Sequence, residues 1–154
     1  MTGSVRGIGG GFEITFHGVR GSTPCHGEST SRYGGNTSCV SMAVPGHDPI
    51  LFDLGTGLRY FGVGFPQNLV FHGTCLLSHL HWDHVQGLPF FRSGDRPDAN
   101  TRVLVPEQGV PPFELLSQMM SPPAFPIRPD ELRGTWSFES IDEGEHTVEG
   151  FAVL

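Results

Sequence analysis

Three histidines and an aspartate fall within six residues, at His79, His81, Asp83 and His84 (H-x-H-x-D-H), directly after the short apolar run Thr74 to Ser78. In an extended segment alternate side chains share a side, so His79 and His81 project together. Two neutral imidazoles so placed reach one Zn²⁺ at about 2.0–2.1 Å. Asp83 and His84 fall where the chain turns into its next element, and can aim at a second ion on the order of 3.5–4 Å from the first. Such a pair brings the pKa of a bound water toward about 7 and stabilises charge building on a carbonyl or phosphoryl oxygen. The competing reading, a surface or core cluster of histidines each satisfied by hydrogen bonds, accounts for neither the spacing nor the carboxylate.

The rest of the composition narrows what could use such a cluster. A chain of 154 residues, 37% hydrophobic and 16% charged, suits one compact domain. The net charge of -7 argues against a broad electropositive groove, so RNA is disfavoured as a partner. Two bound cations would offset that charge locally, which leaves room for an anionic small molecule or a nucleotide as substrate. The 3 cysteines, Cys25, Cys39 and Cys75, form no C-x-x-C pair and read as free thiols of a reducing compartment. Met1 to Gly11 has no apolar stretch that could serve as a signal peptide, and no segment approaches the roughly 18 apolar residues of a membrane span. The expectation is a cytoplasmic protein with no membrane contact.

Along the chain, residues 1–11 are Gly-rich and read as a flexible terminus, with a single domain from residue 12 to 154. Strands are expected over Glu13 to Val19, Ser38 to Val44, Pro49 to Leu54, Thr74 to Ser78 and Thr101 to Val105. Short helices are expected over Leu58 to Phe65, Val85 to Phe91 and, after Pro111-Pro112, Phe113 to Met120. Trp136 to Ile141 and His146 to Val153 read as a hairpin around Glu143-Gly144. Phe12, Phe16, Phe52, Phe71, Phe90 and Phe91 read as core packing.

The H-x-H-x-D-H segment resembles the signature of the metallo-β-lactamase superfamily. Ile50-Leu51-Phe52-Asp53-Leu54-Gly55 resembles that family's strand ending in Asp-x-Gly. His17 to Pro24, with Arg32 to Ser38, is similar to the opening of its ribonuclease Z-like and phosphodiesterase-like branch, as is Phe125-Pro126. The resemblance implies an α/β fold, the αββα sandwich, of which this chain would hold the N-terminal half or slightly more. It implies two divalent ions, zinc first and manganese or iron as alternatives. His79 and His81 would hold one and Asp83 and His84 the other, the latter pair also counted as catalytic. The implied chemistry is cleavage of a phosphodiester by a metal-bound hydroxide. The alternatives are tRNA 3′-end processing, lactone or thioester hydrolysis, or a metal-binding fragment without turnover.

Around the cluster, Asp53 is read as an outer partner that fixes a ligand imidazole, against a plain turn or cap role. Asn36 either bonds the metal loop or substrate, or serves its own turn. Neither G-x-S-x-G nor G-x-G-x-x-G occurs in a fitting context. The resemblance also implies a later His, a bridging Asp and a final His. After His84 the remaining histidine is His146, whose Glu143-Gly144-Glu145 context reads as a turn and not as a ligand position. The chain is therefore expected to stop short of those ligands, to be weakly active or inactive alone, and to leave a sheet edge that invites dimerisation.

Overall fold

The computed structural model describes residues 3–6 and 11–154. The fold is mixed α/β around one seven-stranded sheet in sequential order. Strands β1 (Gly3–Arg6), β2 (Glu13–Gly18), β3 (Cys39–Ala43) and β4 (Ile50–Phe52) pair antiparallel. From β4 onward, β5 (His72–Leu76), β6 (Asn100–Pro106) and β7 (Thr135–Ile141) pair parallel. Parallel neighbours need crossovers, and helices α1 (Gly57–Gly64), α2 (Trp82–Val85) and α3 (Pro112–Met119) lie within them. Of the terminus expected to be loose, Gly3–Arg6 instead pair with β2, while residues 1, 2 and 7–10 lie outside the described residues.

Period-two alternation sorts the strands onto two faces. Leu51, Cys75, Val103 and Val105 point to the helix side, where they bury with Leu58, Phe71, Phe91 and Leu116 in the main core. The run Phe61, Phe65, Phe71, Phe91 packs there with centroid separations from 4.8 to 5.9 Å. Ile50 and Leu104 point to the opposite face and form a smaller core with Val148. That face is covered by a hairpin of β8 (His146–Val148) and β9 (Phe151–Val153).

This hairpin corrects the expected one. β7 does not fold back on His146 to Val153; it continues the parallel sheet beside β6. The reversal lies inside the expected strand, where Glu149 (φ 49°) and Gly150 (φ 84°) make the two-residue turn between Val148 and Phe151. Two consecutive positive φ values are what a tight, right-twisted hairpin requires, and Gly144 in the longer preceding loop merely looks like one. The expected helix Val85 to Phe91 is also shorter: α2 is one turn, followed by a 3₁₀ turn at Leu88–Phe90.

The phenylalanines divide. Phe71 and Phe91 are buried, whereas Phe12, Phe16, Phe52 and Phe90 are exposed, against the core role expected of all six. Phe16, Val40 and Phe52 are register neighbours across β2, β3 and β4, on the face that the hairpin covers only in part. Phe90 stands at the mouth of a cavity described below.

Candidate functional site

Asp53 follows β4, and the segment Ser78 to His84 follows β5. Both lie at the carboxyl ends of parallel strands, where open α/β sheets bind ligands. The two loops are stitched by backbone. Asp53 donates its N–H to the Leu76 carbonyl at 2.9 Å, and Leu54 donates to the His84 carbonyl at 2.7 Å. Gly87 closes the return by donating to Leu54 at 2.7 Å. The glycines here serve approach and not freedom: a Cβ on Gly55 would stand 2.4 Å from the Asp83 carbonyl oxygen, and one on Gly87 2.0 Å from that of Gly55.

At the centre is the Asp53 carboxylate, buried, with its backbone at φ 62°. Its Oδ1 accepts from the Ser78 amide and the Ser78 hydroxyl, each at 2.8 Å. Its Oδ2 accepts from the Ser38 hydroxyl at 2.8 Å and lies 2.8 Å from His84 Nδ1. A carboxylate only accepts, so the last bond puts a His84 proton on Nδ1 and leaves Nε2 on the side of Asp83. Ser78 spends its one hydroxyl proton on Asp53; its oxygen, 3.0 Å from His79 Nδ1, is then an acceptor. That bond leaves His79 Nε2 free.

The imidazoles gather around this brace. The His79 ring centroid is 4.0 Å from that of His84 and 4.5 Å from that of His81. Asp83 Oδ2 lies 3.5 Å from His84 Nε2 and accepts the Ser22 amide at 2.7 Å. The Ser22 amide, first among several causes, holds the Asp83 carboxyl below its usual range. Through Ser22 the opening loop reaches over the cluster. The donor set (imidazole nitrogens with one carboxylate) has the chemistry of a borderline-soft divalent ion. The side chains are assembled but not closed into a chelate: among the described residues, no three of His, Cys, Asp or Glu form a ready-made group for one ion.

The other expected positions are placed as follows. Asn36 bonds the residue that caps α1, its Oδ1 accepting from the Thr56 hydroxyl at 3.4 Å. Thr37 and Thr56 exchange amide-to-hydroxyl bonds of 2.9 Å there, tying the opening loop to the turn after Asp53. His146 bonds the Asp142 carbonyl at 2.9 Å, beside its own hairpin. His17 meets Ser41, and His47 the Glu149 carbonyl. The braces Ser22, Ser38 and Ser78 escaped sequence reasoning, as did Gly87. Only Ser78, placed directly before His79, carried a signal that could have found it.

Over 82 residues the chain is 38% identical to the ribonuclease Z of Natronomonas pharaonis. The likeness is partial. It covers 51% of this chain and 22% of that protein, so the chain matches well under two thirds of its relative's length. No family model matches, and no solved structure matches. Ribonuclease Z is a metallo-β-lactamase family member, and the partial likeness suggests that superfamily and a hydrolase of its type. No helix among the described residues is long and apolar enough to cross a membrane.

Proposed function

We propose that this chain carries part of the active site of a metal-dependent hydrolase of the metallo-β-lactamase type, acting on phosphodiesters. The observation that carries the reading is the Asp53–Ser78–His84 brace, which leaves His79 Nε2 free and His84 Nε2 on the side of Asp83, in a cluster with His81. An outer partner of this kind sets the aim and basicity of a ligating imidazole. The hairpin against the sheet's second face supports the two-sheet architecture of that superfamily.

His79, His81, Asp83 and His84 would hold the ions, zinc before manganese or iron, which supply Lewis acidity and an acidified water when bound. The chain's own work is to aim these four side chains through Asp53, Ser78 and the Ser22 amide. Asp83, kept ionised by Ser22, offers Oδ1 as the acceptor for a proton leaving the attacking water. The P–O bond to the ester group would then break as that to the water oxygen forms, the leaving oxygen departing as the alcohol on taking that proton from Asp83. A small anionic or nucleotide diester fits the net charge of -7 better than a long RNA does.

Zinc uptake by equilibrium dialysis, paired with hydrolysis of bis(p-nitrophenyl) phosphate, tests the reading. Uptake that is lost in His79→Ala and His84→Ala supports it; no uptake of zinc, manganese or iron sinks it. A second reading is a metal-binding module without turnover, supported by a likeness that spans only 22% of the ribonuclease Z it matches. Ions held without hydrolysis of the diester would decide for that one.

A further inference from the structure

A cavity of about 340 Å³ opens beside the histidine loop, walled by Trp82, Phe90, Leu116, Met119, Met120 and Phe125. None of its lining residues is charged, and Gln86 is its one polar side chain. The volume lies at the small end of the roughly 300–1,000 Å³ of small-molecule sites, enough for one compact ring system. Phe90 and Phe125 meet edge to face, 6.0 Å apart at 85°. An aromatic ring packs favourably into such a wall, and the adjacent Met119 and Met120 adapt their shape to what enters. Trp82 and Phe90 are 56% and 55% exposed, so the mouth presents aromatic surface to solvent.

The position of the cavity gives it meaning. Trp82, Val85 and Gln86 line it from the same single turn that carries Asp83 and His84. Trp82 directly precedes Asp83, and neighbouring Cα atoms are about 3.8 Å apart. One element thus carries both the cavity wall and part of the histidine cluster. The uncharged cavity excludes the phosphate, and the histidine cluster offers an apolar group nothing.

We propose that this cavity binds an aromatic ester substituent of the substrate, so that the site selects aryl phosphodiesters over diesters of small alkyl groups. The proposal rests on the hydrolase reading above for the phosphate end alone. The methionine methyl groups provide a direct probe. Met119 and Met120 line the cavity, while Met42 sits against the small core on the opposite face and serves as an internal control.

In ¹³C-methyl-methionine chain, methyl 1-naphthyl phosphate should shift the Met119 and Met120 signals saturably and leave Met42 unmoved. Its affinity should exceed that of dimethyl phosphate by at least about tenfold. Ala124→Trp, at an exposed rim position, should abolish the shifts. Unmoved Met119 and Met120, equal affinity for dimethyl phosphate, or unchanged shifts in Ala124→Trp would each overturn the proposal. The neutral 1-methoxynaphthalene, titrated alongside a zinc assay, separates the two readings. Its binding in a chain that takes up no zinc overturns the hydrolase reading and leaves the cavity standing. Zinc uptake with silent methionines does the reverse.

Discussion

Asp53 Oδ2 and His84 Nδ1 stand 2.8 Å apart, and this contact joins the end of one parallel strand to the loop leaving the next. The same carboxylate takes both donors of Ser78, so one buried side chain orients two residues of the histidine segment. Its backbone sits at φ 62°, a conformation that Asp tolerates better than most residues. Position and side chain together are what the loop geometry demands.

Asp53→Ala should cost zinc affinity about 10–100-fold, because His84 loses the group that fixes its tautomer and aim. It should also lower stability by about 1–3 kcal/mol, since the Ser78 amide is left without its acceptor. Asp53→Asn, which tolerates the same backbone and retains one acceptor oxygen, should fall between. Competitive zinc titration and urea unfolding read the two effects separately. Unchanged zinc affinity beside lowered stability would make Asp53 a brace of the fold and nothing more.

Gly87→Ala should destabilise by about 1–3 kcal/mol, the usual cost of forcing a methyl into a packed site. Gly87 has an ordinary helical φ of -82°, so the cost is steric: the new Cβ would meet the Gly55 carbonyl oxygen at 2.0 Å. Gly64→Ala is the control. Nothing lies within 4 Å of its added Cβ at the end of α1, and Ala there should be neutral or stabilising by up to about 1 kcal/mol. Similar urea midpoints for the two variants would show that the loops separate freely.

The cysteines should behave as two populations. Cys25 is exposed, whereas Cys39 and Cys75 are fully buried, and burial pushes both of their thiols up. For Cys39 the neighbouring Asp53 charge adds to that. A thiol-reactive dye should therefore label one of the 3 cysteines quickly in the folded protein, since the thiolate is the nucleophile. The other two should follow only as urea unfolds the chain. Rapid labelling of all three would contradict the packing of β3 and β5 against the helices.

Where the sequence was legible, a local pattern and the tertiary environment agreed. The strands before Asp53 and before the histidine run read correctly to within a few positions because short apolar runs and turn residues mark them. The hairpin did not, because Glu143-Gly144 and Glu149-Gly150 look alike, and only packing of Val148 on Ile50 and Leu104 decides where the chain reverses. Phe16 and Phe52 were misplaced for a related reason: alternation says which side chains share a face, not whether anything covers it. At the site, the histidines and the aspartate announce themselves as a cluster by spacing. Ser22 and Ser38 reach it through contacts 61 and 15 positions apart in sequence, which no local pattern encodes.

His17 should make the fold acid-sensitive. Its Nε2 is 2.8 Å from the Ser41 hydroxyl, its ring meets Phe61 edge-on at 5.3 Å, and its Nδ1 is buried without a partner among the described residues. Burial holds its pKa below 6.5. In the unfolded chain the same group takes its proton near 6.5, so below that pH the unfolded state binds more protons and gains on the folded one. The destabilisation is absent above 6.5, grows as pH falls, and levels off once the folded-state pKa is passed. His17→Gln, which keeps a polar group near Ser41 but cannot titrate, should flatten this part of the profile. Urea midpoints of both proteins between about pH 8 and pH 5 give the difference curve, in which the other histidines cancel. Parallel profiles would mean that His17 is protonated in the fold as readily as outside it, and that its pocket holds water the packing does not predict.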